Sequence, residues 1–150
     1  MEQYGTTMPD NYLTNTEKPT VSHNNDPRGH AYTISNTVAV AWNDNNEEEN
    51  LQRIITQKWI ANFPLSCEAW AEYRRTGYPK LFPNRVNLSN GDINTNEQVR
   101  RLIYSDTEIN TNNAELQKGI ELLNQENTGS ISGDKGGTHV WWDKAGVGNF

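Results

Sequence analysis

Apolar positions recur at helical spacing in only a few stretches of this chain. Leu51, Ile54, Ile55, Trp59 and Phe63 share one face of an α-helix, so the spacing predicts a helix over residues 45–63. Asn45 or Asp44 can cap its start. Glu47, Glu48 and Glu49 then fall in the first turn, where the helix dipole favours carboxylates. Pro64 ends the helix. Ser66 can cap a second helix that runs to about Thr76, with Cys67, Trp70 and Tyr73 or Arg74 turned inward. Gly77 and Pro79 follow as its stop, and the pair reads as a helix–turn–helix hairpin. A third helix is expected from about Asn112 to Asn124. Asn112 and Glu115 make a start like a capping box, and Leu116, Ile120 and Leu123 supply the apolar stripe.

The rest of the pattern is irregular. Residues 1–31 read as loop, broken by Pro9, Pro19 and Pro27, with room for one helical turn near Met1–Gly5. Tyr32–Trp42 is β-branched and fits a strand, a buried extended segment or a short helix. Between Tyr78 and Asn110, VNLSNGDI can turn a small β-hairpin at its Asn-Gly, and VRRLIY fits a short strand or an extended piece. No internal repeat is present. The expected fold class is mainly α: few short helices, long irregular loops and at most a small β-hairpin.

Composition sharpens this picture. Only 33% of the 150 residues are hydrophobic, and 21 are asparagine. Asn and Asp favour caps and turns, because their side chains bond nearby backbone. Apolar residues gather mid-chain, which implies a compact core with a loose periphery. The net charge is -6. Phosphate binding needs a basic face, so nucleic acid and anionic membrane surfaces are poor partners. The lone cysteine, Cys67, can form no internal disulfide and is expected to be a buried, inert thiol. No apolar run approaches the length of a membrane span. Residues 1–20 show neither the basic nor the apolar region of a signal peptide.

Catalytic signals are weak. His23, His30 and His139 lie far apart in polar loops, without zinc-ligand spacing. Glu68 and Glu72 are one helical turn apart, whereas glycosidase carboxylates face each other across a sugar-sized gap. Glu72 is placed to pair with Arg75. Asp134-Lys135-Gly136-Gly137 is no phosphate loop, and no nucleophile elbow is present. Arg74, Arg75, Arg100 and Arg101 fit helix-end carbonyls or buried carboxylates better than an anion site. No cofactor or metal is implied.

The five tryptophans carry more information. Trp59 and Trp70 lie on helical apolar faces and read as core. Trp42 precedes an Asn/Asp-rich loop, and Trp141 and Trp142 end a glycine-rich tail. Adjacent residues in an extended segment point opposite ways, so one of the last two should be exposed. Flat indole faces beside polar groups suit sugar rings. Trp42, Trp141 and Trp142 are therefore the candidate ligand-binding residues.

The string QKWIANFPLSCEAWAEYRRTGYP resembles the C-terminal signature of the SusD/RagB family. VRRLIYSDTEINTNN resembles that family's Arg-Arg-x-x-Tyr segment, which leads into a late helix, and GDKGGTHVWWD resembles its Trp-Trp-Asp ending. The likeness covers roughly residues 30–145, with Ser105 departing from a common proline. It implies a mainly helical protein in which a tetratricopeptide-like array supports an irregular C-terminal region. It implies the C-terminal part of such a protein, a single partial domain over residues 1–150, with residues 1–31 a loop-rich lead-in and with the helical repeats and the lipidation site upstream of what is present here. It implies a cell-surface, outer-membrane lipoprotein that binds glycans or peptides without cleaving them and passes them to a TonB-dependent transporter. Lys58, Trp59, Trp70, Arg74, Arg75, Thr76, Gly77 and Tyr78 look like scaffold residues of that fold. Helix faces left uncovered would favour self-association. A small glycan-acting hydrolase is the alternative, carried only by scattered carboxylates.

Overall fold

The computed structural model describes residues 5, 7–24, 27–35, 38–84 and 86–143. The helical turn suggested near Met1–Gly5 falls largely outside them. The element order is β1 (Thr20–His23), β2 (Tyr32–Ser35), α1 (Glu47–Ala61), α2 (Ser66–Thr76), α3 (Asp106–Thr111) and α4 (Asn113–Glu126). The fold is mainly helical with short helices, as the pattern predicts. The chain forms two compact units. One comprises residues 1–69 and 78–80, the other residues 70–77 and 81–150.

In the first unit, β1 and β2 pair antiparallel, with Val21 opposite Ile34 and Ser22 opposite Thr33. The loop reading of residues 1–31 is thus corrected at Thr20–His23. That strand escapes a pattern search because all four of its residues are exposed and no alternation marks it. β2 covers only the start of the Tyr32–Trp42 run. Val38 and Ala39, further along, are buried without strand pairing.

Helix α1 begins one residue later than the caps predicted. Asn46 is the cap, its side chain accepting the Glu49 N–H at 3.0 Å. The helix does not bury the stripe that the spacing suggests. Ile55 is buried, but Ile54 is 52% exposed and Phe63 87% exposed. Asn50, Gln52 and Arg53 are buried instead. The reason is the irregular segment beside the helix, whose backbone lacks a sheet partner and needs polar side chains. Arg53 Nε donates to the Ala39 carbonyl at 3.0 Å, and Asn50 Nδ2 donates to the Asn43 carbonyl at 2.6 Å. Trp59, Phe63 and Pro64 line a cleft of about 210 Å3 at the end of α1.

Helix α2 starts at Ser66 itself rather than after it. Cys67 is exposed, contrary to expectation. Ala69 is the buried residue of this turn, and two positions are about 200° apart on a helix, which puts the thiol on the opposite side. Glu68 pairs with Lys58 at 3.1 Å, both partly exposed, so the pair adds little stability.

Tyr78 closes this unit. It is buried, and its hydroxyl donates to Glu48 Oε1 at 2.6 Å. Burial first, and the Glu48 carboxylate second, push the phenol up to about 12. An unfolded tyrosine titrates near about 10. The folded state therefore holds the proton more tightly. Its contribution is fully present below about pH 10 and is lost as pH rises toward about 12. Chemical denaturation of the protein and of Tyr78→Phe across that window should show a stability gap that narrows with rising pH. A gap that stays constant would contradict this.

In the second unit, Tyr73 and Thr76 form the buried side of α2. Gly77 has φ 73, and its N–H reaches the Tyr73 carbonyl at 2.8 Å, the helix stop that its position predicts. Asn90 and Gly91 both have positive φ and turn the loop between Asn84 and Thr95. Among the described residues no strand flanks that turn, so the hairpin expected there is corrected. Asn87 Nδ2 donates to the Ile93 carbonyl and to Thr95 Oγ1, taking the place of ladder bonds. Residues 99–104 form neither a strand nor a helix. Arg100 and Arg101 both give their N–H to the Gly136 carbonyl, at 2.7 and 3.1 Å.

The third predicted helix is α4, and a short helix that the pattern does not announce, α3, precedes it. Ser105 caps α3, and Asn112 separates it from α4 without making a side-chain cap bond. The capping box at Asn112 is thus corrected: its amide donates to Glu108 Oε1 at 2.6 Å, a residue of the preceding helix. Of the stripe Leu116, Ile120 and Leu123, only Leu116 is buried. Among the described residues no helix is long and apolar enough to cross a membrane.

Candidate ligand-binding platform

The second unit presents Trp141 and Trp142 at the two central positions of a turn, closed by the Asp143 N–H to the Val140 carbonyl at 2.9 Å. The turn is held from below by an ion pair. Asp143 is completely buried and Arg100 is 2% exposed. Arg100 Nε donates to Asp143 Oδ2 at 2.8 Å, and its Nη2 reaches Oδ1, giving a two-point fork. The same guanidinium donates to the carbonyls of Arg74 and Glu97, each at 3.2 Å. A helix carbonyl and a buried carboxylate were the partners expected of an arginine here, and Arg100 has both. The Asp143 carbonyl accepts from Thr128 Oγ1 at 3.3 Å and faces His139 Nδ1 at 3.0 Å. His139 is buried in this cluster rather than lying in a polar loop.

A second clamp acts through aromatic faces. The Arg74 guanidinium lies 3.6 Å from the ring centre of Trp70 and 4.6 Å from that of Trp142. Trp70 is fixed in turn by its indole N–H, which donates to the Val99 carbonyl at 2.8 Å. Arg74 Nη1 donates to the Arg100 carbonyl at 2.8 Å. Burial holds the Arg74 guanidinium below its ordinary value, and burial also raises the Tyr73 phenol. Further along, Arg101 pairs with Asp134, whose carboxylate also takes the Tyr104 N–H at 3.1 Å.

The outcome for the candidate residues is uneven. Trp141 is 66% exposed, while Trp142 is half-buried against Arg74. One of the pair is exposed, as adjacency suggests, although a turn rather than an extended segment separates them. Trp42 is 59% exposed and belongs to the first unit. The three are therefore not gathered within one unit. Trp42 also sits on a tethered segment. Ala41 N–H reaches the Asn15 carbonyl at 2.9 Å, and Asn43 Nδ2 donates to Glu49 Oε2 at 3.3 Å. The Asn43 amide, then Arg53, hold the Glu49 carboxyl below its ordinary value. Among the described residues no group of His, Cys, Asp and Glu is arranged to hold a metal ion.

The two clamps were missed by sequence reasoning. The Arg-Arg and Trp-Trp-Asp strings drew attention, but Arg100 and Asp143 are 43 residues apart and nothing local links them.

Comparison places this arrangement in a class. Residues 1–143 match the SusD-like family, the Susd and RagB outer membrane lipoproteins. The chain belongs to this family. Similar solved structures include a SusD homologue from Bacteroides thetaiotaomicron VPI-5482, 43% identical, with a TM-score of 0.75 over 95% of this chain and 30% of that one. A chitin-binding SusD homologue from Flavobacterium johnsoniae is 40% identical, with a TM-score of 0.78 over 99% of this chain and 30% of that one. A homologue from Bacteroides ovatus ATCC 8483 is 41% identical, with a TM-score of 0.76 over 95% and 30%. The chain thus spans about 30% of the length of these relatives. No curated protein matches it.

Proposed function

We propose that this chain serves non-catalytic capture of glycans at the outer-membrane surface, with delivery to a TonB-dependent transporter, and that Trp141 is its principal sugar platform. The observation that carries the site is the exposure of Trp141 on a turn clamped by both the Arg100–Asp143 pair and the Arg74–Trp142 stack. A sugar ring needs a flat apolar face that is already in place, since ordering a loose one weakens binding. Trp42, on its own tethered segment, is a second platform, and Trp142 acts mainly as the support of Trp141.

Family membership supports the surface location, and the chitin-binding relative supports a glycan ligand. The carboxylates support binding over hydrolysis. Asp143 and Asp134 are held by arginines, Glu72 by Arg75 at 2.7 Å, and Glu68 by Lys58. None is set up as a proton donor facing a second carboxylate across a sugar.

The test is titration with chito-oligosaccharides and other neutral oligosaccharides, following tryptophan fluorescence. Trp141→Ala should weaken binding about tenfold or more, in line with the stacking energy of one aromatic face. Trp42→Ala should weaken it less. Affinity unchanged in both variants would move the site elsewhere.

A further inference from the structure

We infer that Arg74 is the positioning residue of the Trp141 platform, acting as a planar spacer between Trp70 and Trp142; this inference rests on the platform reading above. Trp70 and Arg74 are four residues apart on α2, one above the other on the same face. The guanidinium carbon lies over both rings, 3.6 and 4.6 Å from their centres. Hydrogen bonding alone does not set this pose, although Nη1 donates to the Arg100 carbonyl at 2.8 Å. Arg74 Nε is buried and has no hydrogen-bond partner. An unpaired buried N–H is unfavourable, so stacking must offset it. The buried carboxylate of Asp143 is already forked by Arg100, so no ion pair of that kind draws Arg74 to its place.

The consequence is a rigid chain of contacts. The Val99 carbonyl fixes Trp70, Trp70 fixes the guanidinium, and the guanidinium fixes Trp142. Trp142 shares the central positions of its turn with Trp141, so the orientation of one constrains the other. A lysine in place of Arg74 keeps the charge but has no plane to stack. The Arg100–Asp143 fork would still hold the turn to the core, so the fold survives while Trp142 loosens.

The test uses the full chain carrying 5-fluorotryptophan, with the resonance of residue 142 assigned through Trp142→Phe. Arg74→Lys and Trp70→Phe should each shift or broaden that resonance. Each should also weaken chitohexaose binding about tenfold, chiefly through faster dissociation, because the platform must now be ordered on binding. A folded Arg74→Lys protein with wild-type affinity overturns the inference. So does one with a lowered melting midpoint but an unchanged Trp142 resonance and unchanged affinity, which would mark a purely structural arginine. Should Arg74→Lys fail to fold, Trp70→Phe decides by the same readings, since it keeps the guanidinium and its bond to Arg100. Trp141→Ala separates the two claims. If it binds like wild type, the platform reading falls. If it loses binding while both stack variants retain it, the platform stands and the role of Arg74 falls.

Discussion

Arg100→Ala is expected to lower the stability of the second unit by about 3–5 kcal/mol, the loss seen when one partner of a buried ion pair is removed. Asp143 is wholly buried, so the substitution leaves a carboxylate without its counter-charge and out of reach of water. The carbonyls of Arg74 and Glu97 lose a donor at the same time. Such a loss is a large share of the roughly 5–15 kcal/mol that holds an ordinary domain together. Arg100→Lys keeps the charge but cannot fork the carboxylate, so it should fall between the two. Urea denaturation followed by tryptophan fluorescence measures this. An Arg100→Ala midpoint within error of wild type would show that the pair is not buried as described.

Ile55→Ala is expected to destabilise the first unit by about 2–5 kcal/mol, from lost transfer energy and the cavity left behind. Ile55 is 3% exposed, and Val38, at 3%, belongs to the same small core. Ile54→Ala, one position earlier on the same helix, should change stability by no more than about 0.5 kcal/mol, because that side chain is 52% exposed. The contrast tests the register of α1. Helical spacing alone places both isoleucines on one face, whereas the structure separates them. Equal losses for the two variants would favour the spacing over the structure.

These two cases also mark what the sequence made legible. Strong local signals survived: the carboxylates opening α1, Pro64 between the helices, and Gly77 with its positive φ ending α2. Signals that depend on distant partners did not. β1 is polar and exposed, and its partner lies about a dozen residues on, so nothing in its own pattern announces a strand. On the buried polar face of α1, Arg53 and Asn50 reach the backbone carbonyls of Ala39 and Asn43, outside the helix. Cys67 looked apolar enough to bury, yet one turn of α2 buries Ala69 in its place. At the site, the adjacency of Trp141 and Trp142 correctly implied one exposed indole. The fork of Arg100 on Asp143 and the stack of Arg74 join residues 43 and 68 positions apart in the chain (143 − 100 and 142 − 74), and no local pattern encodes such pairs.

The central claim is capture without cleavage, and the most direct measurement follows ligand and product together. The protein is incubated with chito-oligosaccharides, free ligand is separated by ultrafiltration, and both fractions are analysed for chain length. The account predicts depletion of free oligosaccharide, recovery of the bound fraction at its original length, and loss of depletion in Trp141→Ala. Shortened oligosaccharides that accumulate with time, and that Trp141→Ala leaves unaffected, would contradict it.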